Sequence, residues 1–112
     1  MNIFFIGMGY MGFERLKAII NLKKKNDINI SGFYDPNIKI MKLNNLTLKS
    51  EKNLNSDFFK KKKIDLCIIS VPHYLTLKYV KVCLKNSGKI NLLVEKPLGT
   101  NLSETKKIIN LK

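Results

Sequence analysis

At 112 residues the chain is a single domain, long enough for a real core yet small for a complete enzyme. Twenty-one Lys and Arg against eight Asp and Glu give a formal charge of +13, which invites a nucleic-acid reading. Arg15 is the only arginine, so the bidentate contacts of specific nucleic-acid readers are scarce, and only a weak, salt-sensitive attraction to polyanions is expected.

The first dozen residues organise everything that follows. Asn2-Ile3-Phe4-Phe5-Ile6 is an apolar, β-branched and aromatic run that reads as a buried strand. It breaks at Gly7-Met8-Gly9-Tyr10-Met11-Gly12, after which Phe13, Leu16, Ile19 and Ile20 recur at helical spacing. This is G-x-G-x-x-G between a strand and a helix, the context in which that motif has a mechanism. Gly7 permits the tight turn, Gly9 lets the backbone approach a pyrophosphate, and Gly12 lets the helix lie close to the strand. The unpaired N–H groups and positive dipole end of that helix then face the phosphates. The helix is expected to end in the basic run at residues 23–25, closed by Asn26.

A second strand is expected over residues 28–34, stopped by Pro36, with Asp35 at its carboxyl edge. Asp35 stands roughly 20 residues past Gly12, where an acid hydrogen-bonds the adenosine ribose hydroxyls. A carboxylate there repels a 2′-phosphate, and the following Pro36-Asn37 supplies no arginine to welcome one, so NAD is preferred over NADP. Residues 37–45 read as a short, weak helix, Leu46-Thr47-Leu48 as a small third strand, and residues 53–63 as a helix turning Leu54, Phe58 and Phe59 inward. Its closing run of four lysines suits a helix C-terminus. Residues 64–71 are almost continuously apolar, as in a central parallel strand covered on both faces. Pro72 stops it, leaving His73 and Tyr74 just beyond its end. A helix carrying Leu75, Tyr79, Val82, Cys83 and Leu84 follows, with Gly88 as a left-handed cap. Then come a strand at residues 91–95 and a helix at residues 103–111, with Ser103 as N-cap.

Cys67 and Cys83 lack a C-x-x-C partner and His73 is the only histidine, so reduced, buried thiols are expected and a metal site is not. The opening apolar run has no basic flank and is too short for a signal-peptide core, and no segment approaches a membrane span; a soluble, cytoplasmic domain is implied. Alternation of strands and helices argues a doubly wound parallel sheet whose ligands lie beyond the strands' carboxyl ends. The glycine turn, Asp35, residues 70–74 and residues 95–97 all fall on that edge, as one site.

Four stretches together resemble the N-terminal, nucleotide-binding domain of the glucose-fructose oxidoreductase / inositol dehydrogenase (Gfo/Idh/MocA) family. They are residues 3–12, Gly32-Phe33-Tyr34-Asp35-Pro36, residues 64–73, and Leu92-Leu93-Val94-Glu95-Lys96-Pro97-Leu98, where Glu-Lys-Pro at a strand end is the most specific piece. The resemblance implies a three-layer, Rossmann-like α/β fold. It implies a dinucleotide held by Gly7, Met8, Gly9, Tyr10, Met11, Gly12, Asp35, Ser70, Val71, Pro72, His73, Glu95 and Lys96. Lys96 would sit beside the nicotinamide and touch the reacting hydroxyl of a sugar or polyol, its ammonium stabilising negative charge on that oxygen as hydride departs. The family usually places a histidine four residues after Pro72, where this chain has Thr76, and His73 is read as structural or cofactor-lining and not as a catalytic substitute.

The family also carries a second domain with the acid/base residues, the substrate pocket and often an oligomer interface. Residues 1–112 are therefore expected to be a dinucleotide-binding domain, truncated, with the C-terminal substrate domain absent and homo-oligomerisation left open. Such a chain would hold cofactor without turning over substrate. The alternative is a non-catalytic NAD-binding module, or a subunit completing a partner chain.

Overall fold

A computed structural model describes residues 1–23, 26–87 and 89–111. Lys24, Lys25 and the expected cap Gly88 lie outside the described residues. Four parallel strands form the sheet: β1 (Asn2–Ile6), β2 (Asn29–Tyr34), β5 (Leu66–Ile69) and β6 (Asn91–Val94), in the order β2-β1-β5-β6. Strand β1 is central because it can be apolar on both faces. Ile3, Phe4, Phe5 and Ile6 are all fully buried. With a two-residue period, Ile3 and Phe5 join one core with Leu16, Phe33 and Ile68, while Phe4 and Ile6 join the other with Phe59, Ile69, Tyr79 and Cys83. Helix α1 (Tyr10–Lys23) covers the first face, and α2 (Ser56–Lys62), α3 (His73–Asn86) and α4 (Leu102–Ile109) cover the second. This is the expected three-layer α/β fold.

The chain order reverses between β1 and β5: β2 lies on one side of β1, and β5 with β6 on the other. Ligands of doubly wound sheets occupy the crevice outside such a switch point. The glycine turn leaves β1 and residues 70–72 leave β5 side by side there, Ser70 N donating to the Ile6 carbonyl at 2.8 Å.

Three local expectations are corrected. Residues 37–45 are not helical. Instead β3 (Ile40–Leu43) and β4 (Leu46–Lys49) form an antiparallel hairpin outside the main sheet, turned at Asn44 in a left-handed conformation (φ 52°). Met41 and Leu43 alternate inward, and four residues are too few for that period to stand out against a helical one. The expected third strand therefore touches the sheet only where the hairpin ends, through a bridge between Phe33 and Ser50. Helix α3 starts at His73 and buries Thr76 and Val80 beside Tyr79 and Cys83. Helix α4 is capped by Asn101, whose side chain accepts from Glu104 N, and not by Ser103.

The lysine run of α2 occupies its last turn, and Asn55 caps its start through Phe58 N. Cys67 and Cys83 are free, fully buried and 3.8 Å apart at their sulfurs. No helix among the described residues is long and apolar enough to cross a membrane.

Candidate functional site

The three glycines meet three different surroundings. Gly7 has φ +89°, and a Cβ there would lie 2.3 Å from the Ser70 carbonyl oxygen. At Gly12 a Cβ would lie 2.2 Å from the Gly7 carbonyl oxygen, so helix and turn pack backbone to backbone. At Gly9 a Cβ would meet no protein atom within 4 Å, and its backbone is not left-handed. Packing demands the first and third glycines; the space over Gly9 is left for something else.

The groups around that space suit a diphosphate. Helix α1 begins at Tyr10 and its first donated bond is Phe13 N to Gly9 O at 2.9 Å, which leaves the N–H groups of Tyr10, Met11 and Gly12 without helical acceptors. No acidic residue stands in this first turn to neutralise the dipole. Ser70 Oγ is buried and meets no hydrogen-bond partner among the described residues. A Cβ-free cradle, free donors and an orphaned hydroxyl together fit a dinucleotide phosphate.

Two cavities adjoin here and share Gly9, Ser70, Val71 and Pro72. The first, of about 270 Å³, reaches Asp35, Asn37, Ile38, Leu75 and Tyr79. The second, of about 450 Å³, reaches Tyr10, Met11, Glu95 and Lys96. Asp35 is 8% exposed, and its carboxylate is already a scaffold. Oδ2 accepts from Met8 N at 2.8 Å, and Oδ1 accepts from Asn37 N and Ile38 N at 2.8 and 3.0 Å. One acceptor position of roughly four stays available for a ribose hydroxyl. At the far end, Arg15 Nε donates to Glu95 Oε1 at 2.5 Å. That hydrogen bond holds the Glu95 carboxyl below the usual carboxylate range and raises the Arg15 guanidinium. Lys96 is exposed, joined to Pro97 by a cis peptide bond, and has no carboxylate partner among the described residues.

A family model described as an oxidoreductase family with an NAD-binding Rossmann fold (Gfo/Idh/MocA) matches residues 1–112. The chain belongs to the Gfo/Idh/MocA family. Solved structures share the fold. One is yhhX, described as a probable oxidoreductase, with a TM-score of 0.79 and 20% identity over 99% of this chain and 32% of that one. Another is UDP-N-acetylglucosamine 3-dehydrogenase GnnA from Acidithiobacillus ferrooxidans, with a TM-score of 0.70 and 16% identity over 99% of this chain and 34% of that one. A third is RSP, a Rex-family repressor, with a TM-score of 0.63 and 16% identity over 97% of this chain and 56% of that one. This chain thus spans about a third of the length of these oxidoreductases. A comparison with curated proteins returns no match.

Within this Gfo/Idh/MocA domain, Gly7, Gly9, Tyr10, Met11, Asp35, Ser70, Val71, Pro72, Glu95 and Lys96 line the paired cavities. Gly12 supports them from beneath. Met8 differs from expectation: its side chain is in the core and its N–H belongs to Asp35. His73 also differs. It is exposed in the first turn of α3 and lines neither cavity. Thr76, where the family usually has a histidine, is 2% exposed and lines neither cavity. Ile38, Leu75 and Tyr79 line the first cavity without having been marked as site residues. Leu75 and Tyr79 share a helix face one turn apart at the sheet's carboxyl edge, a signal that reads equally well as core. Burial, with the Tyr34 hydroxyl and Asp35 nearby, pushes the Tyr79 phenol up.

Proposed function

We propose that the chain is the dinucleotide-binding part of an NAD-dependent oxidoreductase acting on a CH–OH group of a sugar or polyol. The observation that carries this is the empty space over Gly9, floored by free helix-terminal N–H groups and opening into one cavity toward Asp35 and another toward Lys96. The N–H groups of Tyr10, Met11 and Gly12, with Ser70 Oγ, hold the diphosphate. Asp35 takes the ribose through its remaining acceptor position, and Ile38, Leu75 and Tyr79 supply apolar walls for the base. Lys96 meets the substrate hydroxyl and stabilises negative charge on its oxygen. When bound, the nicotinamide supplies the hydride acceptor.

The sugar class rests on the family and on the name of GnnA, a nucleotide-sugar dehydrogenase. The one carboxylate lining the Lys96 cavity, Glu95, is engaged by Arg15, so no free carboxylate base faces Lys96 there. We therefore expect the 112-residue chain to bind cofactor without turning over substrate. A non-catalytic dinucleotide-binding module is the second reading, favoured by the sharing of this fold with a repressor.

The test is a fluorescence titration of the chain with NADH and NADPH, beside Asp35→Asn. NADH should bind more tightly than NADPH, and the preference should shrink in the variant, whose side chain carries no charge to repel a 2′-phosphate. The NADPH arm also measures whether Lys39, Lys49 and Lys52, which line a hollow of about 600 Å³ beside Asp35, offset that carboxylate. An unchanged preference in Asp35→Asn removes the ribose assignment.

A further inference from the structure

Glu95 and Lys96 are adjacent in sequence, opposite in charge, and line the same cavity. Left alone, such neighbours pair with each other, and a lysine so paired is withheld from a hydrogen-bond acceptor on a ligand. The carboxylate is claimed instead by Arg15, from the second turn of α1 and 80 positions earlier in the chain. Arg15 sits just past the helix turn whose N–H groups face the shared cavity. Its planar guanidinium is the better carboxylate partner than an ammonium.

We infer that Arg15 is a positioning residue of the cofactor site: by engaging Glu95 it keeps that carboxylate off Lys96 and leaves the Lys96 ammonium free to face the nicotinamide end of the ligand. This rests on the dinucleotide reading above. It makes Arg15 matter for binding without touching the ligand. It also separates binding from stability, because a bridge with Arg15 at 44% and Glu95 at 18% side-chain exposure contributes little to folding.

The experiment titrates NADH and ADP-ribose against the full chain, Arg15→Ala, and Arg15→Ala/Glu95→Gln, with thermal unfolding of each. ADP-ribose has the diphosphate and adenosine but no nicotinamide. Arg15→Ala should weaken NADH about fivefold, the upper end for releasing a half-exposed ion pair, and leave ADP-ribose within about twofold. The double variant, with no carboxylate to settle on Lys96, should regain most of the NADH affinity. Equal losses for both ligands, a double variant as weak as the single, or no change in Arg15→Ala would each overturn the inference while the dinucleotide reading stands. Failure of the parent chain to bind either ligand overturns that reading and this inference with it. Arg15→Met, which keeps an unbranched stem against α1 but has no N–H to give Glu95, provides the same comparison should alanine disturb the helix.

Discussion

Replacing Gly9 by alanine should separate the ligand's demands on the glycine turn from the fold's. The new methyl meets no protein atom within 4 Å and the backbone there is already open to any residue. Two small effects on stability then oppose each other. Alanine loses less unfolded-state entropy than glycine, a gain of about 0.4–1 kcal/mol. Gly9 also stands at the cap of α1, its carbonyl accepting from Phe13, and alanine is a worse cap by an amount on the same order. The net change should stay within about 1 kcal/mol, moving the melting temperature by no more than roughly 5 °C. Binding should behave differently, since the methyl projects into the space the diphosphate needs. Lifting the phosphate off even one helix-terminal N–H forfeits a charge-assisted bond of about 1.5–3 kcal/mol, or roughly 10- to 100-fold in affinity. Melting curves and NADH titrations of Gly9→Ala measure both sides. An unaltered NADH affinity with a normally folded variant would refute the reasoning, since the space over Gly9 would then hold no phosphate.

Gly12→Ala should behave in the opposite way, losing about 3 kcal/mol of stability in denaturant unfolding because its Cβ would be driven into the Gly7 carbonyl oxygen, where only backbone can yield. Asp35→Ala should cost about 3 kcal/mol even without cofactor, since Met8, Asn37 and Ile38 lose their acceptor; melting of the ligand-free variant checks this. On the acid side, Glu95 is held low by Arg15 and Glu104 by Thr100. A carboxylate depressed in the folded state stabilises it fully above the ordinary glutamate value of about 4.3, and that contribution is lost as pH falls through the depressed one. Melting temperature should thus hold level from neutral pH to about 5 and decline below, with only a slight change of slope in Glu95→Gln because the half-exposed Arg15 bridge contributes little to folding.

What could be read without coordinates follows from the range of the interactions. β1, the glycine turn, α1 and β5 declare themselves through contiguous apolar runs and glycines at fixed spacing, so both the layered fold and the edge bearing the site were legible. The hairpin at residues 40–49 was not, because Ile38 and Met41 mimic a helical step and strands of four residues show barely one period. Asp35 was marked by its distance from Gly12, but its engagement by three main-chain donors depends on how the loops fold back. His73 and Tyr74 looked like loop residues after a proline, yet Pro72 serves as the N-cap and the helix starts at once. The Arg15–Glu95 bridge spans 80 positions and two layers; no local pattern announces it.

The most direct measurement is a titration of the ¹⁵N-labelled chain with NADH, followed by amide shifts. The account predicts saturable shifts concentrated at Gly9 through Gly12, at Asp35 and its neighbours, at Ser70 and Val71, and at Glu95 and Lys96. Shifts confined to the lysine-rich turns away from this edge, or none at millimolar NADH, would contradict it.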